Sequence, residues 1–551
     1  MAKRAIWKGS KRGNSHDFQT RMIKETTLRV TPGEAADIKL LTSLAAASLG
    51  VDASSVNDIR IVRRSIDARQ RHIWVNLTIL AAVGEDRKVM PLFSPVIFHD
   101  VPSDAPQIVI VGAGPAGLCA ALRALELGIR PVVVERGHDV DTRRMDITSL
   151  CRSGIVNPES NYCFGEGGAG TFSDGKLFTR SKKRGNANDI LQLLHQHGAS
   201  ESILVDTHAH IGSDRLPNVI KAIRETIRRH GGQVLFATRM SRLIINHGRV
   251  EGIQTADGNE IKGPVILACG HSARDVYRML HKSGIRLESK GFAMGVRLEH
   301  PQRLIDSIQY HSPQGRGQYL PAAEYSMACQ AEGRGVYSFC MCPGGVIVPA
   351  VSAEGEAVVN GMSASARAGR WANSGMVVEI RPEDFPQYSH FGPLSLMEMQ
   401  AETERRFFQA SGNTLNAPAQ RMKDFTEDRI SVDLPASSYV CGLHSADLSA
   451  LLPRFVATRL KEGFRKFGQR YKGFLTNEAC MIGLESRTSS PVRIPRDKDT
   501  LHHPDHEGLY PAGEGAGYAG GIVSAALDGR RCAEAAVAML KENTSDQDDK
   551  Q

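Results

Sequence analysis

The densest chemical signal in the chain is Gly112-Ala113-Gly114-Pro115-Ala116-Gly117. It stands between an apolar run, 107–111, and an apolar-periodic stretch, 115–127, and the acid Glu135 closes the next apolar run. In this setting each glycine has its own duty. The first makes a tight strand-to-helix turn, the second lets backbone approach a pyrophosphate, and the third admits close packing of the helix. The helix start adds unpaired N–H groups and the positive end of its dipole. Glu135 is placed to accept hydrogen bonds from a ribose. Gly112, Gly114, Pro115, Ala116, Gly117, Glu135 and the adjoining Arg136 are therefore candidate dinucleotide-binding residues.

The fingerprint alone does not choose between NAD and FAD, and two further segments do. Val265-Ile266-Leu267-Ala268-Cys269-Gly270 is an apolar strand ending in a small residue and glycine, an arrangement that flavoproteins set near the dinucleotide; it offers Ala268 and Gly270. Near the end of the chain, Tyr510-Pro511-Ala512-Gly513-Glu514-Gly515-Ala516-Gly517-Tyr518-Ala519-Gly520-Gly521-Ile522 closes a strand and opens a helix, as expected for FAD in glutathione-reductase-like folds. A helix beginning near Gly521 aims N–H groups at the pyrimidine side of the isoalloxazine, where negative charge appears on reduction. Gly513, Glu514, Gly520, Gly521 and Ile522 join the candidates.

A third glycine cluster occupies residues 164–177. Its Gly170 to Lys176 spacing mimics a P-loop, but Leu177 replaces the Ser or Thr that must hold magnesium and no apolar strand precedes it. A loop running along FAD toward the flavin fits better, with Gly168, Thr171, Asp174, Gly175 and Lys176 as contacts.

Other side chains could carry chemistry. Cys340 and Cys342 flank one residue in a glycine-proline turn context and make a candidate redox dithiol, or supply one reactive thiol near the flavin; a disulfide between them requires the backbone to turn. His271 could shuttle protons, or start a helix by bonding to backbone. Lys176 is the fourth catalytic candidate. Arg487 and Arg493 could bind an anionic substrate or the flavin edge, and an ion pair holding two domains together explains them as simply; Arg367 and Arg370 face the same choice. Asp206-Thr207-His208-Ala209-His210 has the HxH of metal hydrolases without their further ligands, and His502, His503 and His506 fit a solvated loop, so no metal is expected.

These residues need a scaffold, and the hydrophobic pattern supplies one. Residues 107–111, 115–127 and 131–135 read as a βαβ unit, with Gly128 ending the helix. Residues 232–270 read as an antiparallel insertion returning to a buried strand at 264–268, and 508–512 with 521–540 as strand, loop and helix. Ahead of these, strands at 26–30, 58–62 and 72–80 and a helix at 32–49 form a small α+β unit that ends near the polar, proline-bounded segment 102–106. The predicted fold class is α/β: a Rossmann-type, glutathione-reductase-like FAD-binding domain with a small N-terminal α+β domain and an inserted α+β substrate domain. The predicted boundaries are a basic flexible arm at 1–21, the small domain at 22–103, the first part of the FAD-binding domain at 104–275, the inserted domain at 276–484, the remainder of the FAD-binding domain at 485–543 and a polar tail at 544–551.

Composition narrows the partners. A chain of 551 residues calls for two or three domains. The net charge of +8 sits mostly in residues 1–30, where Lys3, Arg4, Lys8, Lys11, Arg12, Arg21, Lys24 and Arg29 face only Asp17 and Glu25. A basic arm of this kind is a weak motive for nucleic acid, which is not expected as a partner. No apolar run reaches the ~18 residues of a membrane helix. The ten cysteines include no CxxC, which fits a reducing, cytoplasmic setting.

The runs 164–177, His271-Ser272-Ala273-Arg274-Asp275, 292–301, 337–345 and Thr488-Ser489-Ser490-Pro491-Val492-Arg493 resemble the bacterial family of FAD-dependent dehydrogenases (FAD-dependent oxidoreductases) to which no substrate is assigned. The resemblance covers roughly residues 22–540. It implies a flavoprotein of the two-dinucleotide-binding-domain superfamily, with a small N-terminal domain and a family-specific domain inserted before the last FAD segment. It also implies that Gly112, Gly114, Gly117, Glu135, Gly513 and Glu514 bind FAD and that Met240 sits where backbone meets adenine. The expected activity is hydride transfer from a small-molecule substrate to flavin N5, in a cleft between the FAD and inserted domains, with electrons passed to a further acceptor. NAD(P)H could serve as a transient donor. A tRNA-modifying or other nucleic-acid-acting flavoprotein and a non-catalytic FAD-binding protein are the alternatives.

Overall fold

A computed structural model describes residues 22–84, 88–179 and 185–548. The basic arm, 1–21, lies outside the described residues. The chain divides into two units: one runs to Ser94 and takes in Leu204–Thr207, and the other comprises Pro95–Ile203 and everything from His208.

In the first unit, strands Met22–Val30, Val56–Asp67 and Trp74–Val83 make an antiparallel sheet with Trp74–Val83 in the middle. The helix Ile38–Leu49 is capped by Asp37, whose carboxylate accepts from Lys39 N and Leu40 N, and it ends at Gly50 in the left-handed region. Its Leu41 and Ala45 pack with Val30, Val75, Leu77 and Ile79 to make the core.

The second unit begins earlier than the 102–106 segment. Val96 N donates to Gln196 Oε1 at 2.8 Å and Val101 N to His230 O at 3.1 Å, which fixes residues 95–101 to this unit. Its centre is a five-stranded parallel sheet in the order Leu509–Pro511, Val265–Leu267, Gln107–Val111, Arg130–Val134, Gln233–Leu235. The three middle strands are short β-branched runs, buried along nearly their whole length, as a parallel sheet covered on both faces requires. The helices Pro115–Glu126 and Ile522–Asp548 pack against each other so closely that a Cβ at Gly529 would lie 1.9 Å from Ala116 O. Residues 232–270 differ from the sequence reading in one respect. Gln233–Leu235 pairs in parallel with 132–134, and the antiparallel part is confined to Met240–Asn246, Arg249–Thr255 and Glu260–Lys262.

The segment between the two halves of the parallel sheet builds a second sheet of eight strands. Its path is Ala328–Ala331, Arg334–Pro349, Trp371–Ile380, Phe292–Pro301, Cys480–Glu485, Ala417–Arg421, Leu443–Ser445, and Val359–Met362 pairs with Arg334–Pro349. The helix Arg454–Arg470 packs on one end of this sheet and the helix Ser395–Ala410 on the other. Among the described residues, no helix is long and apolar enough to cross a membrane.

Candidate active site

The three fingerprint glycines are demanded by different neighbours. At Gly112, where φ is 105°, a Cβ would stand 2.4 Å from Ala268 O. At Gly117 it would stand 1.9 Å from Gly112 O, whereas at Gly114 it would meet only Gly168 Cα at 3.9 Å. The first and third are thus required by internal packing, and the second leaves open space at the helix start. Gly114 caps that helix with no side-chain hydrogen bond, so the first-turn amides remain available. Gly270, Gly520 and Gly521 likewise border open space, since a Cβ at any of them would meet nothing within 4 Å. A path free of side chains therefore lies along the turn after Leu267, the start of Pro115–Glu126 and the approach to Ile522–Asp548. It is the cradle that an extended dinucleotide needs, and the residues present fit FAD.

The other predicted contacts gather around this path. The Glu135 carboxylate accepts from Ala113 N at 2.8 Å, Gly137 N at 2.9 Å and Gly165 N at 3.0 Å, and so ties the fingerprint turn to the glycine-rich loop. Thr238 N donates to Glu135 O at 2.9 Å, which brings the segment leading to Met240 to the same spot. Arg136 has its guanidinium between Glu159 (2.6 Å) and Asp275 (2.9 Å), over the Phe164 ring. Gly167 N donates to Ala113 O at 2.8 Å. The Thr171 hydroxyl is taken by Glu166 O at 2.7 Å. Gly513 N donates to the Asp528 carboxylate at 2.8 Å, and Arg496 holds that carboxylate at 2.6 Å.

Arg143 and Glu166, which the sequence reading passed over, brace the glycine-rich loop from inside. Arg143 is fully buried and donates to Asn161 O, Tyr162 O, Glu166 O and the Thr171 hydroxyl. Burial pulls its guanidinium down to about 10. Glu166 accepts from Val140 N at 2.7 Å and Arg224 at 2.8 Å, and burial pushes its carboxyl up.

Beyond this brace the loop meets the eight-stranded sheet. Asp174 takes a two-point contact from Arg367 (3.0 and 2.5 Å) and a third from Lys176 Nζ at 2.9 Å. Burial opposes its charge, but the two cations outweigh that and hold the carboxyl at about 2. Lys176 Nζ also reaches Cys342 Sγ at 3.7 Å. Arg297, wholly buried in the strand Phe292–Pro301, completes the group. It donates to Asn373 Oδ1 (2.9 Å), Glu485 (3.2 Å), Cys340 O (2.6 Å) and Cys342 Sγ (3.4 Å). An arginine following the apolar run Phe292–Val296 was the available sign, because a buried charge demands partners.

A cleft opens beside these groups, walled by Phe172 and Ser173 of the loop, His271, and Asn360, Glu485 and Arg487 of the second sheet region. Burial, reinforced by Arg487 and Arg274, lowers the His271 imidazole to about 4, so it is neutral through the physiological range. Glu485 is pushed up to about 7 by burial against the pull of Arg297. Glu514, on the terminal glycine segment, is raised to about 7 by burial, with Lys290 opposing and Cys340 adding to the rise.

Arg487 has every donor engaged. It bonds Glu404 and Glu356 (2.9 and 2.6 Å), the Ser352 hydroxyl (2.6 Å) and Cys163 Sγ (3.5 Å), while Arg274 pairs with the same two glutamates. Arg493 lies apart from this network, 3.7 Å from Glu288 with Nε buried and unbonded. His208 pairs with Glu324, and His210 bonds Ser365 O at 3.1 Å. Among the described residues no group of three or more His, Cys, Asp and Glu is placed to hold a metal ion.

Comparison with known proteins places this geometry. A family model described as "FAD-dependent protein, C-terminal domain-like" matches residues 291–488, an "FAD binding domain" matches 107–156, and a domain of unknown function matches 22–82. An uncharacterized protein of Clostridium beijerinckii is 40% identical over 515 residues, covering 90% of this chain and 96% of the relative. Among solved structures, a geranylgeranyl bacteriochlorophyll reductase-like protein of Thermoplasma acidophilum is similar over 80% of both chains at 14% identity, with a TM-score of 0.34. A flavoprotein/dehydrogenase from Cytophaga hutchinsonii is similar over 79% of both chains at 13% identity and the same TM-score of 0.34. With its FAD-binding domain and its FAD-dependent C-terminal domain in one chain, this protein belongs to the FAD-dependent flavoprotein family.

Proposed function

We propose that this flavin-dependent enzyme is a dehydrogenase that takes hydride from a small-molecule substrate onto flavin N5, in the cleft shared by the FAD-binding part and the family-specific domain. The observation that carries the proposal is the make-up of that cleft: Phe172, Ser173 and His271 come from the FAD-binding part, and Asn360, Glu485 and Arg487 from the segment 291–488 that matches the FAD-dependent C-terminal domain, which runs a few residues past the boundary expected at 484. FAD, when bound, supplies a two-electron acceptor. Gly114, Gly270, Gly520 and Gly521 leave room for it, and the starts of the helices Pro115–Glu126 and Ile522–Asp548 offer amides to its charged parts.

The chain's own residues handle the substrate. His271, neutral above about pH 4, offers a nitrogen that accepts a proton from a substrate hydroxyl or amine. Burial works against the charge on Lys176, but Cys342, Cys340 and Asp174 keep it protonated, so it adds positive charge behind the cleft wall that Glu485 forms. Arg487 positions the cleft wall through its ion pairs. The apolar side chains Val348, Ala350 and Val358 keep water from the same space.

The test is a visible spectrum of the purified, reconstituted protein, recorded without oxygen before and after NADPH and then NADH. A flavin spectrum that bleaches makes a nicotinamide the donor. One that persists assigns that role to a metabolite, to be found by screening for turnover with an artificial acceptor. Well-folded protein that takes up no flavin overturns the proposal. Bound flavin without turnover by any donor favours a non-catalytic FAD-binding protein.

A further inference from the structure

The cysteines at 340 and 342 are brought together by a fault in their strand. On a regular strand, residues two apart stand on one face with their parallel Cβ atoms about 6.6–6.8 Å from each other, beyond the roughly 3.5–4.5 Å that a disulfide needs. Here the pairing of Arg334–Pro349 with Trp371–Ile380 slips between Phe339, opposite Gly375, and Cys342, opposite Asn373, so one extra residue is accommodated. Cys340 takes it up with φ of 44°. The backbone folds over, and the Cys342 thiol donates to Cys340 O at 3.4 Å.

The surroundings suit thiolate chemistry. Lys176 Nζ and Arg297 Nη2 stand 3.7 and 3.4 Å from Cys342 Sγ. The carboxyl groups facing the pair are Asp174, Glu485 and Glu514; Asp174 is neutralised by Arg367 and Lys176, and Glu485 and Glu514 are both raised. The neighbouring Cys342 thiol, against the effect of burial and with help from Lys176 and Arg297, lowers the more exposed Cys340 below an ordinary thiol, while Cys342 is raised. Cys340 is partly exposed, whereas Cys342 is fully buried.

We propose that Cys340 and Cys342 form a redox dithiol that reduces a small organic disulfide, Cys340 attacking and Cys342 resolving. The Cys340 thiolate attacks one sulfur of R–S–S–R, which forms a mixed disulfide and releases one thiolate. Cys342 then gives up its proton and attacks the Cys340 sulfur, closing the Cys340–Cys342 disulfide and releasing the second thiolate. Two electrons pass from the pair to the substrate, which leaves as one thiolate and one thiol, the thiol carrying the proton that Cys342 gave up. The electrons return from two-electron-reduced FAD, one FADH⁻ and the disulfide giving FAD, one thiol and one thiolate; this return alone rests on the flavin assignment above.

The experiment exposes the purified, flavin-loaded protein to oxidised glutathione without oxygen, quenches with N-ethylmaleimide and reads the tryptic peptide 335–367, whose only cysteines are these two. The expected peptide is two hydrogens lighter and unalkylated, and Cys342→Ser accumulates glutathione on Cys340. Should Cys342→Ser fail to fold, the wild-type protein decides: Cys340 alkylates with iodoacetamide at pH 6 about tenfold or more faster than Cys441. Two maleimides on the peptide in protein that carries flavin overturn the thiol proposal and leave the flavin assignment standing. A closed disulfide in protein that binds no flavin overturns the electron return and the flavin assignment together, and leaves the thiol exchange standing. Photoreduction of bound flavin is expected to reopen the disulfide as flavin absorbance recovers, and a disulfide that stays closed overturns the return step.

Discussion

Asp174 and Arg367 meet in a buried two-point ion pair across 193 residues of chain, joining the glycine-rich loop to the family-specific domain. Removing the arginine leaves the carboxylate with Lys176 alone. Arg367→Met is expected to cost about 3–5 kcal/mol, read as a lower urea midpoint. Because the Asp174 carboxyl is depressed from 3.8 to about 2, its contribution is full above the unfolded value and is lost as pH falls through the folded one. Asp174→Asn should therefore flatten the fall in stability between pH 4 and 2, and an unchanged slope would show that the pair contributes nothing there.

The fingerprint glycines separate folding from binding. Gly112→Ala and Gly117→Ala drive a methyl against backbone oxygens at 2.4 and 1.9 Å, so both should lower the melting temperature of flavin-free protein. Gly114→Ala meets only Gly168 Cα at 3.9 Å and should melt like the parent while retaining less flavin through gel filtration. Equal flavin retention by Gly114→Ala and the parent would remove that glycine from the cofactor path.

Glu485 predicts a pH effect of the opposite sign. Burial raises its carboxyl from 4.5 to about 7, so the folded protein keeps a proton that the unfolded chain releases. The corresponding stability is full below about 4.5 and is lost as pH rises through 7. Glu485→Gln keeps the volume and should flatten the loss between pH 5 and 8 in urea titrations; a slope identical to the parent's would assign the effect elsewhere, with Glu514 next in line.

Arg487 can be tested as a domain tie against a substrate contact. Arg487→Met leaves Glu404 and Glu356 with Arg274 as their remaining arginine, and should destabilise by about 3–5 kcal/mol. If its guanidinium serves the fold, KM stays within about twofold in the folded fraction, whereas loss of a charge-assisted contact of about 1.5–3 kcal/mol would raise KM more than tenfold.

How much of this was legible depended on distance along the chain. The unit from Gln107 to Val134 was readable almost to the residue, because strand, glycine turn and helix are each decided by neighbours within a few positions. The strand Gln233–Leu235 falls within the stretch whose pattern predicts an antiparallel insertion, since three residues carry no sign of which sheet they join. Residues 276–484 resisted for a deeper reason. Their sheet sets Phe292–Pro301 between Trp371–Ile380 and Cys480–Glu485, and no local pattern announces partners so far apart. Cys340 and Cys342 could be named from sequence, but the slipped pairing that joins them, and the arrival of Lys176 and Arg297, belong to tertiary structure.

The placement of Leu509–Pro511 beside Val265–Leu267 has a consequence for biosynthesis. Until the last strand leaves the ribosome, Val265–Leu267 is the bare outer edge of a four-stranded parallel sheet, and the glycine segment that completes the cofactor cradle does not yet exist. At about 5–20 residues per second, the gap lasts roughly half a minute. Throughout that interval the nascent chain carries an unprotected apolar edge, the kind of surface that recruits other strands. The strands of the inserted domain are all made within the gap, so cofactor loading becomes one of the last events in the protein's maturation.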